Sequence, residues 1–122
     1  MSNSISVDGV TIAGNYLIGS AQVYASGVLI SGGLCSATST SYTGMVVLCL
    51  RGNGTFGSKT LNVQNSGGVA IVIYNNVAGD FQGDLVSTST IPAISIRKAF
   101  GEYLMNYKVD RGLVAQVTAR RV

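Results

Sequence analysis

The chain has 122 residues, the length of one domain, so no second hydrophobic core is expected. Charged residues make up 11% of it, less than half of the roughly 25% usual for soluble domains, which excludes a strongly charged surface. The net charge of +3 comes from scattered lysines and arginines, whereas nucleic-acid binding needs clustered ones. Such a chain is typical of a secreted protein or of a module that packs an apolar face on a neighbour.

The N-terminal third is rich in glycine, serine and threonine, and short β-branched or alternating stretches within it predict strands separated by turns. These strands are expected around Ser6 to Ile12, Tyr16 to Ile18, Gln22 to Tyr24 and Val28 to Ile30. The stretch from Ser36 to Tyr42 has no periodicity, and it predicts a loop.

A strand, a helix and a second strand follow, and they form the clearest pattern in the chain. Six consecutive apolar residues predict a first strand that is buried on both faces. Thr55 is a favourable N-cap for the helix, and Gly67 with Gly68 is a favourable stop. The predicted elements are a strand over Met45 to Leu50, a helix over Phe56 to Ser66 and a strand over Val69 to Tyr74.

The rest of the chain contains one long loop and three further elements. The loop, from Asn75 to Ser89, is of the kind that carries function or mobility. After it we expect a strand over Ile91 to Ile96, a helix over Ala99 to Tyr107 and a closing strand over Leu113 to Thr118. Together these elements predict an α+β fold, in which a β-sandwich or open β-barrel of about seven strands is flanked by two short helices.

Cys35 and Cys49 are the only cysteines, and the chain has no histidine to complete a zinc site with them. A disulfide between them would contribute on the order of 3 kcal/mol by the chain-entropy argument and would indicate an oxidising compartment. The alternative is a pair of reduced thiols, with Cys49 buried in its strand and Cys35 in a loop.

The absence of histidine excludes the Ser-His-Asp and Cys-His forms of hydrolase, because no imidazole base is present. Glu102, the only glutamate, has no carboxylate partner nearby in sequence and is interpreted as a solvated helix residue. We therefore expect no peptidase activity and no cofactor for this chain. Its longest apolar runs are far shorter than the roughly 20 residues that span a bilayer, so no membrane span is expected.

The glycine-rich turn that begins at Arg51 precedes a helix, an arrangement that can bind an anion through backbone N–H groups. It has neither the ending of a P-loop nor the spacing of a dinucleotide fingerprint, and both observations argue against nucleotide binding. Asp80 and Asp84 lack the alternating oxygen ligands of a calcium loop and are interpreted as solvated acids. Two readings stay open for Lys59, which either contacts a ligand or lies across the sheet edge.

The order and spacing of these motifs resemble those of the protease-associated (PA) domain family. Members typically have an apolar strand ending in Arg-Gly, a Phe that opens a helix, a Lys, an Asn-Ala-Gln-like triplet and a Gly-Ala before the next strand. The matching positions here are Arg51-Gly52, Thr55-Phe56, Lys59, Asn62-Val63-Gln64, Gly67-Gly68, Ile71 to Asn76, Ile91 to Ile96 and Gly101 to Leu104. The domain would then span residues 1–122, with its core motifs in 44–118.

The resemblance implies a non-catalytic domain of a secreted subtilisin-like serine endopeptidase that influences substrate access, specificity or assembly. Its partners would be the catalytic domain of the same polypeptide and a peptide or protein substrate. The resemblance to PA domains inserted in such proteases also implies a disulfide between Cys35 and Cys49. The alternatives are a zinc aminopeptidase, a sorting receptor and a free-standing binding module.

Peptide contact is expected at the turn after the first buried strand and on the long loop, because loops at strand ends display groups that strands bury. The candidate residues are Arg51, Gly52, Asn53, Asn75, Asn76, Gly79, Asp80 and Phe81. The alternative for Arg51 is a structural role, in which its guanidinium satisfies carbonyl groups at the turn.

Overall fold

The computed structural model describes residues 3–121, which contain seven strands and two α-helices. The strands are β1 (Asn3–Val7), β2 (Val10–Tyr16), β3 (Tyr24–Gly33), β4 (Val46–Leu50), β5 (Ala70–Tyr74), β6 (Ala93–Ile96) and β7 (Val114–Thr118), and the helices are α1 (Phe56–Asn65) and α2 (Lys98–Tyr107). The strands form a closed barrel in the order β1-β2-β6-β5-β4-β3-β7, which confirms the predicted α+β fold. Met1, Ser2 and Val122, which belong to the predicted domain, lie outside the described residues.

A hairpin replaces the single strand predicted over Ser6 to Ile12. Asp8 and Gly9 both have positive φ, 53° and 78°, as a two-residue hairpin turn requires. Val7 pairs with Val10 across this turn, so the segment contributes to both β1 and β2. The Asp-Gly dipeptide with alternating apolar residues on either side is a strong hairpin signal, and it places the turn in the middle of the predicted strand.

The other predicted N-terminal elements also change. Tyr16 ends β2 and Tyr24 begins β3, so these two segments are strand ends and not separate strands. The predicted strand over Val28 to Ile30 is the middle of the ten-residue β3. The predicted loop from Ser36 to Tyr42 contains one 3-10 turn over Thr40–Tyr42.

The strand-helix-strand unit is confirmed, with α1 connecting the parallel neighbours β4 and β5. All residues from Val46 to Cys49 are fully buried, as the continuous apolar run predicts. The Thr55 hydroxyl accepts from the backbone N–H of Ser58 at 3.0 Å and caps the helix. The disulfide between Cys35 and Cys49 is present, with Cα atoms 5.7 Å apart, and it connects the end of β3 to β4.

The buried apolar side chains form two clusters. One fills the barrel interior and includes Ile5, Ile12, Leu29, Leu48, Val72, Ile94 and Val117. The other lies between the parallel strands, α1 and the long loop, and it includes Val47, Cys49, Val63, Ile71, Ile73, Phe81 and Leu85. The alternation of β4 and β5 between these clusters explains why both strands are apolar throughout.

The barrel closes between β2 and β6 over a short ladder that pairs Asn15 with Ser95 and Tyr16 with Ile94, and the Leu17 N–H extends it by donating to the Ala93 carbonyl at 3.3 Å. Beyond Ile96 the chain leaves the sheet and enters α2. Helix α2 packs on β5 through Gly101, where an added Cβ would come within 2.1 Å of Tyr74 Cγ. Neither α2 nor any other helix within residues 3–121 has the length and apolar character needed to cross a bilayer.

Candidate functional site

Arg51 stands at the carboxyl end of β4, where its guanidinium lies over two aromatic rings. Its Cζ is 4.6 Å from the ring centre of Phe81 and 5.5 Å from that of Phe56. The two rings stack on each other with their centres 5.2 Å apart. Cation–π contact of this kind holds a planar guanidinium in a fixed orientation. Arg51 is therefore preorganised while still partly exposed.

Asn75, buried at the end of β5, supports Arg51 and the loop that follows. Its Oδ1 accepts from Arg51 Nη1 at 3.1 Å and from the backbone N–H of Asn76 at 3.0 Å. Its Nδ2 donates to the carbonyl of Gly79 at 3.0 Å. A buried amide whose donor and acceptor are both used fixes the groups around it. The alternative reading of Arg51 is thus corrected in one detail: its partner is a side-chain amide and not a backbone carbonyl.

A surface hollow of about 360 Å³ opens beside Arg51, and we call it the Arg51 hollow. Its lining residues are Arg51, Gly52, Gly54, Thr55, Phe56, Asn76, Asp84 and Val86. Val86 is 89% exposed and has a φ of 63°, a left-handed conformation that is strained for a β-branched residue. The Asp84 carboxylate accepts from the backbone N–H of Val86 at 2.7 Å and stabilises this conformation. Strain of this kind concentrates at functional sites.

The predicted contact residues separate into three groups. Arg51, Gly52 and Asn76 line the hollow, and Asn75 and Phe81 are buried beneath it. Asp80 lines a different hollow of about 320 Å³ with Ala13, Gly14, Asn15, Ile96, Arg97 and Phe100. Asn53 and Gly79 line neither of these hollows and are exposed, with φ values of 54° and 99°.

The predicted contact residues do not include five others that line the hollow: Gly54, Thr55, Phe56, Asp84 and Val86. The long loop brings Asp84 and Val86 beside α1 because it is fixed at Leu85, whose N–H donates to the Ile18 carbonyl at 2.8 Å. Gly57 permits this approach, since an added Cβ there would come within 2.3 Å of the Leu85 carbonyl oxygen. A glycine in the first turn of a predicted helix was the one available signal of close contact.

Lys59 has a structural position, which corrects both readings of its role. Its side chain is 1% exposed, and its Nζ donates to the carbonyl of Leu34. Burial lowers the pKa of this amine from its usual value. Asn62 donates to the adjacent Cys35 carbonyl at 2.9 Å, so two side chains of α1 hold the segment that carries the disulfide.

The site offers one guanidinium, one carboxylate and main-chain groups as hydrogen-bonding partners. Across residues 3–121, no three Cys, Asp or Glu residues are close enough to bind a metal ion. The ion pair found in the described part of the chain joins Asp8 to Lys108, so Asp84 and Arg51 are not paired with each other. The hollow therefore presents both hydrogen-bond donors and acceptors to a ligand.

The fold and this arrangement define a β-barrel domain with an ordered arginine at the end of a buried strand. The sequence model of the PA domain family matches residues 19–104, well over half of the chain. The chain therefore belongs to the PA domain family. Comparison with curated protein sequences gives no significant match.

Solved structures with a similar fold include three peptidases. A zinc aminopeptidase from Bacillus subtilis is 25% identical over 96% of this chain and 29% of its own, with a TM-score of 0.83. An aminopeptidase from Aneurinibacillus sp. strain AM-1 is also 25% identical, over 96% of this chain and 30% of its own, with a TM-score of 0.83. A subtilisin-like protease from Pseudoalteromonas sp. AS-11 is 18% identical over 95% of this chain and 32% of its own, with a TM-score of 0.66. At this identity the likeness concerns the fold alone. The chain thus spans about a third or less of the proteins that it resembles.

Proposed function

We propose that this chain is a non-catalytic domain of a secreted peptidase, in which it contacts the substrate and modulates access to the catalytic domain of the same polypeptide. The observation that carries the proposal is the preorganised Arg51 hollow on a PA domain without histidine. A guanidinium fixed on two rings loses little conformational entropy when it binds a carbonyl or carboxylate. The disulfide supports the secreted location, because such bonds persist in oxidising compartments.

For the parent peptidase, a zinc aminopeptidase is the candidate with the stronger support. The two aminopeptidases are 25% identical to the chain and have TM-scores of 0.83, against 18% and 0.66 for the subtilisin-like protease. The second candidate is a subtilisin-like endopeptidase, whose inserted PA domains are expected to contain a cysteine pair like that of Cys35 and Cys49. Reading the full coding sequence distinguishes them: an aminopeptidase requires a zinc-ligand set, and a subtilisin-like enzyme requires an Asp/His segment before the domain and a Ser segment after it.

The access role is tested in the full-length peptidase with Arg51→Ala. We expect KM for a long unfolded substrate such as reduced casein to rise about tenfold, while KM for a short chromogenic substrate stays the same. Arg111→Ala is the matched control, because Arg111 is an exposed arginine in the turn after α2, outside the hollow. Equal changes for both substrates, or no change for either, would contradict the proposal.

A further inference from the structure

The outer edge of β2 presents main-chain groups without a partner. The two-residue turn makes Val7 and Val10 a hydrogen-bonded pair of the β1–β2 ladder, so Thr11 belongs to the next, non-hydrogen-bonded pair. The same alternation applies to Ala13, and the N–H and C=O groups of Thr11 and Ala13 therefore point away from β1. On that side β6 pairs with β2 only at Asn15 and Tyr16, and no hydrogen bond within residues 3–121 reaches the main chain of Thr11 or Ala13.

An apolar groove runs along this edge, and we call it the β2 groove. It encloses about 630 Å³ between β2 and α2, and it is lined by Val10, Thr11, Ile12, Ala13, Ala99, Phe100 and Tyr103. Val10 and Phe100 are exposed to 39% and 38%. Because α2 is fixed on β5 by the contact between Gly101 and Tyr74, its lining side chains stand opposite the strand edge. The volume is within the range of roughly 300–1,000 Å³ found for ligand sites.

The exposed edge lacks the features with which proteins usually prevent strand addition. Proteins block free edges with proline, charged side chains or bulges, or cover them. From Val10 to Ala13 the strand has no proline, no charge and no shift of register. Four unpaired main-chain groups, alternately donor and acceptor, match the hydrogen-bonding pattern of an extended chain.

The charge at one end of the groove indicates one feature of the occupant. Where β2 meets β6, the groove continues into the hollow that contains Arg97 and Asp80. The exposed Arg97 has no ion-pair partner within residues 3–121, whereas Asp80 faces the Asn15 amide at 3.4 Å. An acidic side chain at this end would pair with Arg97, and the basic Lys98 beside it adds to the attraction.

We propose that the β2 edge binds an extended peptide segment, which continues the antiparallel ladder of β6 along Thr11 and Ala13. Apolar side chains of this segment pack against Phe100 and Val10, and an acidic side chain at its N-terminal end pairs with Arg97. This binding site is separate from the Arg51 hollow and does not depend on its function.

The test uses backbone amide exchange in the full chain with a blocked pentapeptide, acetyl-Glu-Val-Thr-Val-Thr-amide. Without peptide, the amides of Thr11 and Ala13 should exchange rapidly and that of Ile12 slowly. At saturating peptide, exchange at Thr11 and Ala13 should slow at least tenfold, with no change at Ile12. Protection of Thr11 and Ala13 before peptide is added, or no slowing at millimolar peptide, would overturn the proposal.

Two further probes carry N-methyl groups on alternate sets of peptide amides. Strand addition uses one set of amides only, so one methylated probe should lose binding at least tenfold and the other should retain it. Equal binding by both would indicate simple apolar contact and overturn the proposal.

Variants of the protein test the apolar contact at Phe100 and the charge of Arg97. Phe100→Ser should weaken binding about tenfold, whereas the control Tyr24→Ser, on an exposed aromatic of β3, should leave it unchanged. Arg97→Asp should weaken binding of the Glu probe but not of the same probe with Gln. If Tyr24→Ser weakened peptide binding as much as Phe100→Ser does, the assignment of the groove would be overturned.

Discussion

The Arg51 hollow and the β2 groove are built in opposite ways, although the long loop that begins at Asn75 lines part of the hollow and, through Asp80, one end of the groove. In the hollow, side chains do the positioning: a guanidinium rests on two rings, and a buried amide holds it. In the groove, the main chain of β2 is exposed because β6 turns away after two residue pairs. A surface of fixed side chains selects particular groups, whereas a free strand edge accepts many sequences.

This difference teaches where specificity is expected in the molecule. Substituting the side chains around Arg51 should change which peptide binds there, because its orientation depends on named contacts. In the groove, the proposed side-chain contacts are those with Val10, Phe100 and Arg97, and main-chain pairing, which is independent of sequence, supplies the rest of the binding energy. The following variants test whether the two surfaces are separable.

Removal of the disulfide should have the largest effect on the free energy of unfolding and should leave the Arg51 hollow and the β2 groove unchanged. The double variant Cys35→Ser with Cys49→Ser opens a loop whose ends are 14 residues apart, so we expect the free energy of unfolding to fall by about 3 kcal/mol. Urea unfolding with and without reductant measures this loss. The amide spectra of both surfaces should stay folded and unchanged; selective loss of one of them would show that the disulfide supports that surface.

Asn75→Ala should break the hollow alone. The change leaves the Arg51 guanidinium, the Asn76 N–H and the Gly79 carbonyl without their buried partner, at a cost of about 2 kcal/mol. Asn76→Ala, at the exposed neighbouring amide, is the matched control and should cost less than about 0.5 kcal/mol. Chemical denaturation gives both values. Amide shifts at Thr11 and Ala13 as large as those near Arg51 would mean that the surfaces are coupled.

The central strand-helix-strand unit could be predicted closely because its signals are local. Continuous apolar runs require burial on both faces, and Thr55 with the glycine pair sets the limits of the helix. The N-terminal third was predicted less well, because its strands depend on pairing with β7 and β4, which are distant in sequence. Nothing local in Gly27 or Gly32 shows that a long strand passes through them.

The candidate site could be predicted only in part, for a similar reason. Arg51 and the long loop follow from strand ends, but the burial of Asn75 and Phe81 depends on tertiary contacts. The position of Val86 depends on the bond between Leu85 and Ile18, which are far apart in sequence. The β2 groove results from a partner strand that ends early, and an unfilled position in a sheet has no residue pattern of its own.

Arg97→Asp should stabilise the fold while it changes the charge of the groove. Arg97 is the N-cap of α2 but makes no side-chain cap, and the first turn of this helix has no acidic residue. An aspartate there can accept from the free N–H groups and should raise the free energy of unfolding by about 1 kcal/mol. Thermal unfolding measures the gain, and Arg97→Gln controls for the lost charge. A loss of stability in Arg97→Asp would show that Arg97 supports the fold by contacts other than a cap.

The smallest effect concerns the far end of the groove, where Lys108 after α2 donates to the Asp8 carboxylate of the hairpin turn at 2.8 Å. This hydrogen bond and the positive charge of Lys108 lower the pKa of Asp8, and the bond to Asp8 raises the pKa of Lys108. The stabilisation from Asp8 is therefore present above the usual carboxyl pKa and is lost as the pH falls through the lowered value in the folded state. The stabilisation from Lys108 is present below the usual lysine pKa and is lost as the pH rises through its raised value.

Asp8→Asn should slightly reduce the change in the free energy of unfolding with pH at both the acidic and the basic end, because an exposed ion pair contributes little. Unfolding curves collected from pH 2 to 11 for the two proteins measure the difference, and 1 M salt should reduce it. The amides of Thr11 and Ala13 should exchange somewhat faster in the variant, while those around Arg51 keep their rates. Unchanged rates at both places would mean that packing alone holds the hairpin against α2, and the groove would then be as rigid as the hollow.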